Sequence, residues 1–205
     1  MMSFKKEISK EELQEYKMEH FEGEIIIVDD LKTLDNVFND LAGSRIVGFD
    51  TETRPIFKKG KHNKIALLQL STASKAYLFR INKIGFPQQL RSILSNRNII
   101  KAGVAIRDDI KGLKEWADFE ARGFIELQDM VKDFGIINEG LKKLSAIILG
   151  FTISKRQQVT NWERDVLSDS QVTYAATDAW VCNLIYNKLI NGTERKLKVW
   201  HKGQK

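Results

Sequence analysis

RIVGFDTET, residues 45–53, begins as alternating strand and ends on acids. A strand period of two puts Ile46, Gly48, Asp50 and Glu52 on one face, and Val47, Phe49 and Thr51 on the other. Two carboxylates two residues apart on one strand face lie about 7 Å apart at the backbone. Their side chains can therefore converge on a single cation. A strand that simply ends, leaving both acids in water, has the same pattern, because unpaired acids are seldom buried.

Outward from this stretch the elements alternate. Residues 24–28 (EIIIV) read as a short buried strand, and residues 30–41 carry helical apolar spacing (Leu31, Leu34, Val37, Phe38, Leu41) that stops at Gly43. Further strands are expected at 45–51, 65–71, 76–81, 98–102 and 124–127, and helices at 87–94, 106–117, 140–149 and 168–190. Strands first, then alternating and finally mostly helical segments, argue for an α/β fold with a mixed sheet flanked by helices. Only Pro55 and Pro87 interrupt the chain, and no Ser/Gly-rich linker or repeat divides it. The expected organisation is one domain over 23–191, a polar helix or arm over 1–22, and a basic tail over 192–205.

The 205 residues suffice for a full hydrophobic core. With 42% apolar and 29% charged residues, the composition is that of an ordinary soluble globular protein. Cys182 is the single cysteine, which excludes an internal disulfide and any multi-cysteine zinc site. It fits a reducing compartment and an intracellular, cytoplasmic location. No apolar run approaches the roughly 20 residues of a membrane span, and the first residues lack the apolar core of a signal peptide. The formal charge of +6 is uneven: residues 1–22 balance to −2, the tail 192–205 to +4, and the stretch between to +4.

The long helical segment near the C-terminus sharpens the reading of the acids. At 100° per residue, Thr173, Thr177, Trp180, Asn187 and Lys188 share one arc, while Val172, Ala175, Ala176, Ala179, Val181, Cys182, Ile185, Tyr186 and Leu189 fill the other. Asp178 and Tyr174 fall inside the apolar arc, one turn apart. A carboxylate among apolar residues needs a partner: a cation, a salt bridge, or water in a cleft. In GVAIRDDIKGLKEWA, residues 103–117, a stripe of Ile106, Ile110, Leu113, Trp116 and Ala117 includes Asp109 but leaves Asp108 about 100° away, toward solvent. Asp108 suits a helix N-terminus, where the macrodipole favours negative charge.

Patterning thus nominates Asp50, Glu52, Asp109 and Asp178, with Tyr174 beside the last. Four converging carboxylates would raise one another's pKa values, and two divalent cations would relieve that repulsion. Oxygen ligands suit Mg²⁺ or Mn²⁺, whereas His20, His62 and His201 are scattered and read as surface residues. Paired metals clamp the attacking and leaving oxygens in phosphodiester cleavage.

FDTE (49–52), AGVAIRDD (102–109) and YAATD (174–178) together resemble the three exonuclease motifs of the DEDD superfamily of 3′→5′ exonucleases. The tyrosine four residues before the last Asp is similar to the DEDDy branch; the position that carries His in the DEDDh branch is Thr173. The resemblance spans about Glu24 to Leu189, and within the superfamily it leans toward the Werner-type and ribonuclease D-type members. It implies a ribonuclease H-like fold and a two-metal site. Asp50 would bridge the metals, Glu52 and Asp178 would complete the site that holds the nucleophilic water, Asp109 would support the second metal, and Tyr174 would orient the water. The product would be a nucleoside 5′-monophosphate. A departure from the Werner-type pattern lies just before Asp109, where Arg107 and Asp108 replace two small residues.

The nucleic-acid partner is expected to meet Lys58, Lys59, Lys61 and Lys64, which follow the first motif, together with Arg107, Lys155, Arg156 and Trp162. Phosphate contacts from such residues give affinity without sequence reading. Phe57, Phe151 and Trp162 are candidates either for stacking on terminal bases or for anchoring the core. A catalytically silent nucleic-acid-binding module on the same fold is the competing function, but a binder does not need all four carboxylates. A nucleotide-driven ATPase lacks its Gly-rich phosphate loop.

Overall fold

Strand-forming segments on both sides of residues 45–53 join it in one sheet. The computed structural model describes residues 3–55, 63–138 and 140–202, with side chains to residue 192. Its six strands are β1 (Glu24–Val28), β2 (Ile46–Thr53), β3 (Ile65–Ser71), β4 (Lys75–Phe79), β5 (Ile100–Gly103) and β6 (Phe124–Glu126), in the order β1-β4-β3-β2-β5-β6. An antiparallel meander of β2, β3 and β4 forms the centre, with β1 parallel to β4 on one side and β5 and β6 parallel beyond β2 on the other. The mixed sheet expected from the sequence is therefore present. β4 stops two residues earlier than its hydropathy suggests, because Ile81 starts a one-turn helix, α2 (Ile81–Ile84), closed by Gly85 at φ 70°.

The remaining helices are α1 (Leu31–Ala42), α3 (Gln88–Ser95), α4 (Ile106–Lys114), α5 (Leu127–Met130), α6 (Leu141–Leu144) and α7 (Asp169–Lys202). α1 begins where the Asp30 carboxylate accepts from the Thr33 amide and hydroxyl, satisfying an orphan donor of the first turn. The helix expected over 140–149 splits into α6 and a wider π-type turn over Ser145–Leu149. α7 outruns its expected end by twelve residues, so the backbone of residues 192–202 continues the helix.

Helices cover both faces of the sheet. Val47, Phe49, Leu68, Leu70, Tyr77 and Phe79 pack beneath α1, α3 and α4 with Leu34, Leu41, Leu90, Leu94 and Leu113. The opposite face takes α7, and β3 is consequently buried at every residue. α7 lies close because Gly48 has no side chain: a Cβ there would collide with the Ala179 carbonyl oxygen. Asn183, one turn further on, donates its side-chain amide to the Ile46 carbonyl at 3.1 Å. The small residues of α7 and the glycine of β2 thus dock helix backbone onto strand backbone.

The N-terminal segment runs along the edge of α7. Beyond a short 3₁₀ turn (Glu12–Glu15) it is extended, and Ile8 and Phe21 are buried. Lys17 and Glu19 exchange backbone hydrogen bonds with Thr152, and the Phe21 amide donates to Thr177 Oγ1. Trp180 stacks on Phe151 and tilts against Phe21. The arm therefore meets the polar arc of α7 at Thr177 and Trp180. Among the described residues, no helix is long and apolar enough to cross a membrane.

Candidate active site

Three elements deliver the acidic side chains. β2 turns Asp50 and Glu52 toward α7, on the same face as Gly48, as its alternation requires. Because Ala179 rests on Gly48, its neighbour Asp178 is held over Asp50. Carboxylate oxygens of Asp50, Glu52 and Asp178 all lie within 4.8 Å of one another. Glu52 and Asp178 are buried, and Asp50 is half-buried.

Asp109 stands apart from this trio. It is half-buried on the first turn of α4, where it accepts from Thr51 Oγ1 at 2.5 Å, while Asp108 is exposed. The helix phase read from the sequence is therefore correct. Asp109 lies outside the group that meets within 4.8 Å, but its charge still acts on Asp50 and Glu52.

Two residues absent from the sequence-based candidates support the site. Glu126, at the end of β6, accepts from the amides of Ala105, Ile106 and Gln128 at 3.0, 2.9 and 3.1 Å. It satisfies the start of α4, where Ala105 adopts φ 60°, the one positive φ of a non-glycine residue among those described. A left-handed alanine costs about 1–2 kcal/mol, which the carboxylate offsets through charge-assisted hydrogen bonds. Gln69 is the cross-strand partner of Asp50, fully buried, and neither atom of its amide has a hydrogen-bond partner. Directly opposed residues share a face with Cβ atoms about 4.5–5.5 Å apart, which puts the amide within reach of Asp50. The signal in the sequence was a lone Gln inside the apolar run IALLQLS.

Electrostatics make the trio unstable as three bare anions. Burial, then Asp178 and Asp109, push the Asp50 carboxyl well above the usual range. Burial, followed by repulsion from Asp50, Asp178 and Asp109, raises Glu52 to about 10. Burial raises Asp178 to about 7 against the opposing pull of the Tyr174 hydroxyl and Lys155. Asp109 rises to about 6 by burial, held back by the Thr51 hydrogen bond. Asp178 Oδ1 is buried with no hydrogen-bond partner. A buried, unpartnered carboxylate oxygen grouped with two further carboxylates fits a divalent cation. The acidic trio is thus a candidate metal site.

Tyr174 is buried one turn before Asp178, and its ring tilts against Trp162 at 6.0 Å between centroids. Burial, then Asp178 and Glu52, raise its pKa far above the ordinary phenol value, so the hydroxyl keeps its proton. Trp162 is fully buried behind it. Its ring packs against Tyr174, the anchoring role of the two alternatives that the sequence left open. The NW dipeptide thus marks a buttress, because the 153–168 loop folds its one tryptophan inward.

The expected nucleic-acid contacts divide. Lys58, Lys59 and Lys61, with Phe57, lie outside the described residues. Lys64 is exposed, over the Trp116 ring at 5.0 Å. Arg107 is exposed and 3.6 Å from Asp129. Lys155 and Arg156 are exposed, with Arg156 lining a cavity shared with Tyr174. Phe151 is engaged with Trp180.

A mixed sheet whose central strand presents two acids to a third on a crossing helix is the ribonuclease H-like exonuclease fold, and the chain belongs to the 3′-5′ exonuclease family, which residues 25–194 match. It is 38% identical over 157 residues to the mouse bifunctional 3′-5′ exonuclease/ATP-dependent helicase WRN, covering 74% of this chain and 11% of that protein. It is also 33% identical over 175 residues to the Drosophila melanogaster exonuclease 3′-5′ domain-containing protein 2, covering 83% of this chain and 30% of the other. The chain therefore spans only a minor part of these relatives. Among solved structures it superposes on Trypanosoma brucei RNase D in complex with RNA U12, with a TM-score of 0.74 at 22% identity, over 83% of this chain and 63% of that one. The Escherichia coli RNase D structure gives a TM-score of 0.74 at 22% identity, over 82% and 45% of the two chains.

Proposed function

We propose that this protein is a metal-dependent 3′-5′ exonuclease that hydrolyses phosphodiester bonds at nucleic-acid 3′ ends and releases nucleoside 5′-monophosphates. The observation that carries the reading is the meeting of Asp50, Glu52 and Asp178 within 4.8 Å, with their carboxyls driven up for want of a counter-charge. A purely structural or binding role gives no reason to retain three mutually repelling carboxylates at one point.

Asp50, Glu52 and Asp178 would hold Mg²⁺ or Mn²⁺, and Asp109, outside the trio but close enough for its charge to act on Asp50 and Glu52, would support a second ion. Bound there, the ions supply positive charge that lets the carboxylates ionise together, lowers the pKa of water and stabilises the charge that builds up on the phosphate. The protein's own groups do the positioning. Asp50 and Glu52 are fixed by the β2 ladder, Asp178 by the Gly48–Ala179 contact, and Asp109 by Thr51. Tyr174 retains its proton on Oη and so acts as a donor that orients the attacking water beside Asp178. It is not a general base. In the reaction a water oxygen bonds to phosphorus and gives up one proton to solvent, the P–O3′ bond breaks, and the leaving 3′ oxygen departs with the electron pair and takes one proton from solvent, so that water is added across the bond.

The test uses DNA and RNA oligonucleotides labelled at the 3′ or the 5′ end and incubated with Mg²⁺, Mn²⁺ or EDTA. Stepwise loss from the 3′ end that requires metal is expected. Absence of metal-dependent 3′ trimming on every substrate would sink the reading.

A further inference from the structure

The docked N-terminal arm creates a surface that the acidic trio does not use. Between the arm and the segment leading through α6 lies a trough of about 740 Å³, lined by Lys10, Lys142, Lys143 and Lys155 together with Tyr16 and Asn138. No carboxylate is among the described residues that line it. Among the described residues, none of these four lysines has an ion-pair partner within 4 Å. Lys142 and Lys143 are half-buried along the wall, while Lys10 and Lys155 stand at its margins, Lys10 exposed.

The trough leads to the candidate active site. Met18 belongs both to it and to a second cavity of about 460 Å³, whose wall includes Arg156, Ser154, Thr173 and Tyr174. Lys155, on the boundary between the two, already acts on the Asp178 carboxyl. Two acids line the second cavity, Glu19 and Asp169, and Glu19 is neutralised by Lys17 at 2.7 Å. A strand whose end reaches the trio is thus attracted along the seam between the arm and α6.

We infer that the seam between the N-terminal arm and α6 is the track for the single-stranded nucleic acid upstream of its 3′ end, with Lys10, Lys142, Lys143 and Lys155 on consecutive phosphates and Tyr16 against a base. The inference rests on the function proposed above and assigns the arm a part in substrate binding. Cationic grooves with an interleaved aromatic side chain follow a strand without reading its sequence, and their affinity falls steeply with salt.

Binding of a 5′-fluorescein-labelled single-stranded oligonucleotide, long enough to span both cavities, is measured by anisotropy in EDTA over a range of salt. The variants are K142E/K143E, its neutral counterpart K142Q/K143Q, and the charge-matched control K32E/R97E on the far face of the sheet. Thermal melting establishes that each is folded. K142E/K143E is expected to raise Kd at least about tenfold and to reduce the salt slope by about 1.4, at about 0.7 for each single-strand phosphate that is no longer neutralised. K142Q/K143Q falls between it and wild type, and the control stays within about twofold of wild type. Equal weakening in K142E/K143E and K32E/R97E, or no weakening in either, overturns the track. Trimming with Mg²⁺ or Mn²⁺ is assayed separately. A wild type that binds through the lysines but never trims leaves the track standing and removes the exonuclease reading. A wild type that trims, with variants that bind normally, does the reverse.

Discussion

The chemistry at single residues depends on how each carboxylate or amide is neutralised or satisfied. Tyr174 keeps its proton because it is buried beside Asp178 and Glu52, so its contribution is a donor in a fixed place. Tyr174→Phe keeps the ring on Trp162 and removes only that donor. Its expected effect is a fall in kcat of about 10- to 100-fold with KM within about twofold, read from steady-state kinetics on a labelled oligonucleotide. Unchanged turnover would refute the orienting role. Gln69 offers a contrast, since its buried amide has no partner of its own and faces Asp50 across the ladder. Gln69→Leu replaces an unsatisfied amide by an apolar group of similar size, a change that gains stability, by about 1–3 kcal/mol for such a group. The expected outcome is a higher Tm for the metal-free protein together with lower exonuclease activity. A lower Tm would mean that the amide makes a stabilising hydrogen bond in the folded protein.

At the level of elements, two contacts set the site. The first is the approach of α7 to β2, which has no room for even a methyl group at Gly48. Gly48→Ala must push the helix off the strand, moving Asp178 away from Asp50. Overpacking of this kind costs about 1–3 kcal/mol or more, and the expected loss of activity exceeds what the fraction of unfolded protein explains. Circular dichroism melting and activity measured on the same preparation would separate the two. The second is the phase of α4, which aims Asp109 at Thr51 and leaves Asp108 in solvent. Asp109→Ala is expected to abolish measurable trimming and Asp108→Ala to leave it within about threefold, since one turns toward the site and the other away. Equal losses would mean that the helix start is placed differently, and Glu126 at the α4 N-terminus would be the first residue to question.

The whole molecule stores unfavourable charge, and its stability should show this through pH. Carboxyls near pH 4 in the unfolded chain are raised in the native protein to about 6 for Asp109, about 7 for Asp178 and about 10 for Glu52. Between those values the native state binds more protons than the unfolded state, so the free energy of unfolding falls as pH rises. The stability these groups contribute is fully present below about pH 4 and lost through pH 6 to 7 and above. In EDTA, Tm is therefore expected to drop between about pH 5 and about pH 8, and Mg²⁺ or Mn²⁺ to raise it more at the higher pH, where ligands are ionised. Calorimetry in EDTA and in each metal provides the check. An EDTA Tm that is level or rising over that range contradicts the electrostatic account.

Alternation in RIVGFDTET and helical phase around Asp109, Tyr174 and Asp178 determined from sequence alone which faces carry acids, and the order of three motifs determined the family and its α/β fold. These are short-range properties, because side-chain direction follows from a period of two or 3.6 residues. Tertiary structure decided which of those faces meet. It joined Asp50, Glu52 and Asp178 while setting Asp109 apart with Thr51. It turned Trp162 inward, put Gln69 opposite Asp50, brought Glu126 to the start of α4, and set the N-terminal arm against Thr177 and Trp180 of α7. Each of these joins residues far apart in the chain, 58 positions between Thr51 and Asp109 and 156 between Phe21 and Thr177. No local period encodes such pairings, since they depend on how closely whole layers pack. At Gly48 that distance is set by the absence of a single methyl group.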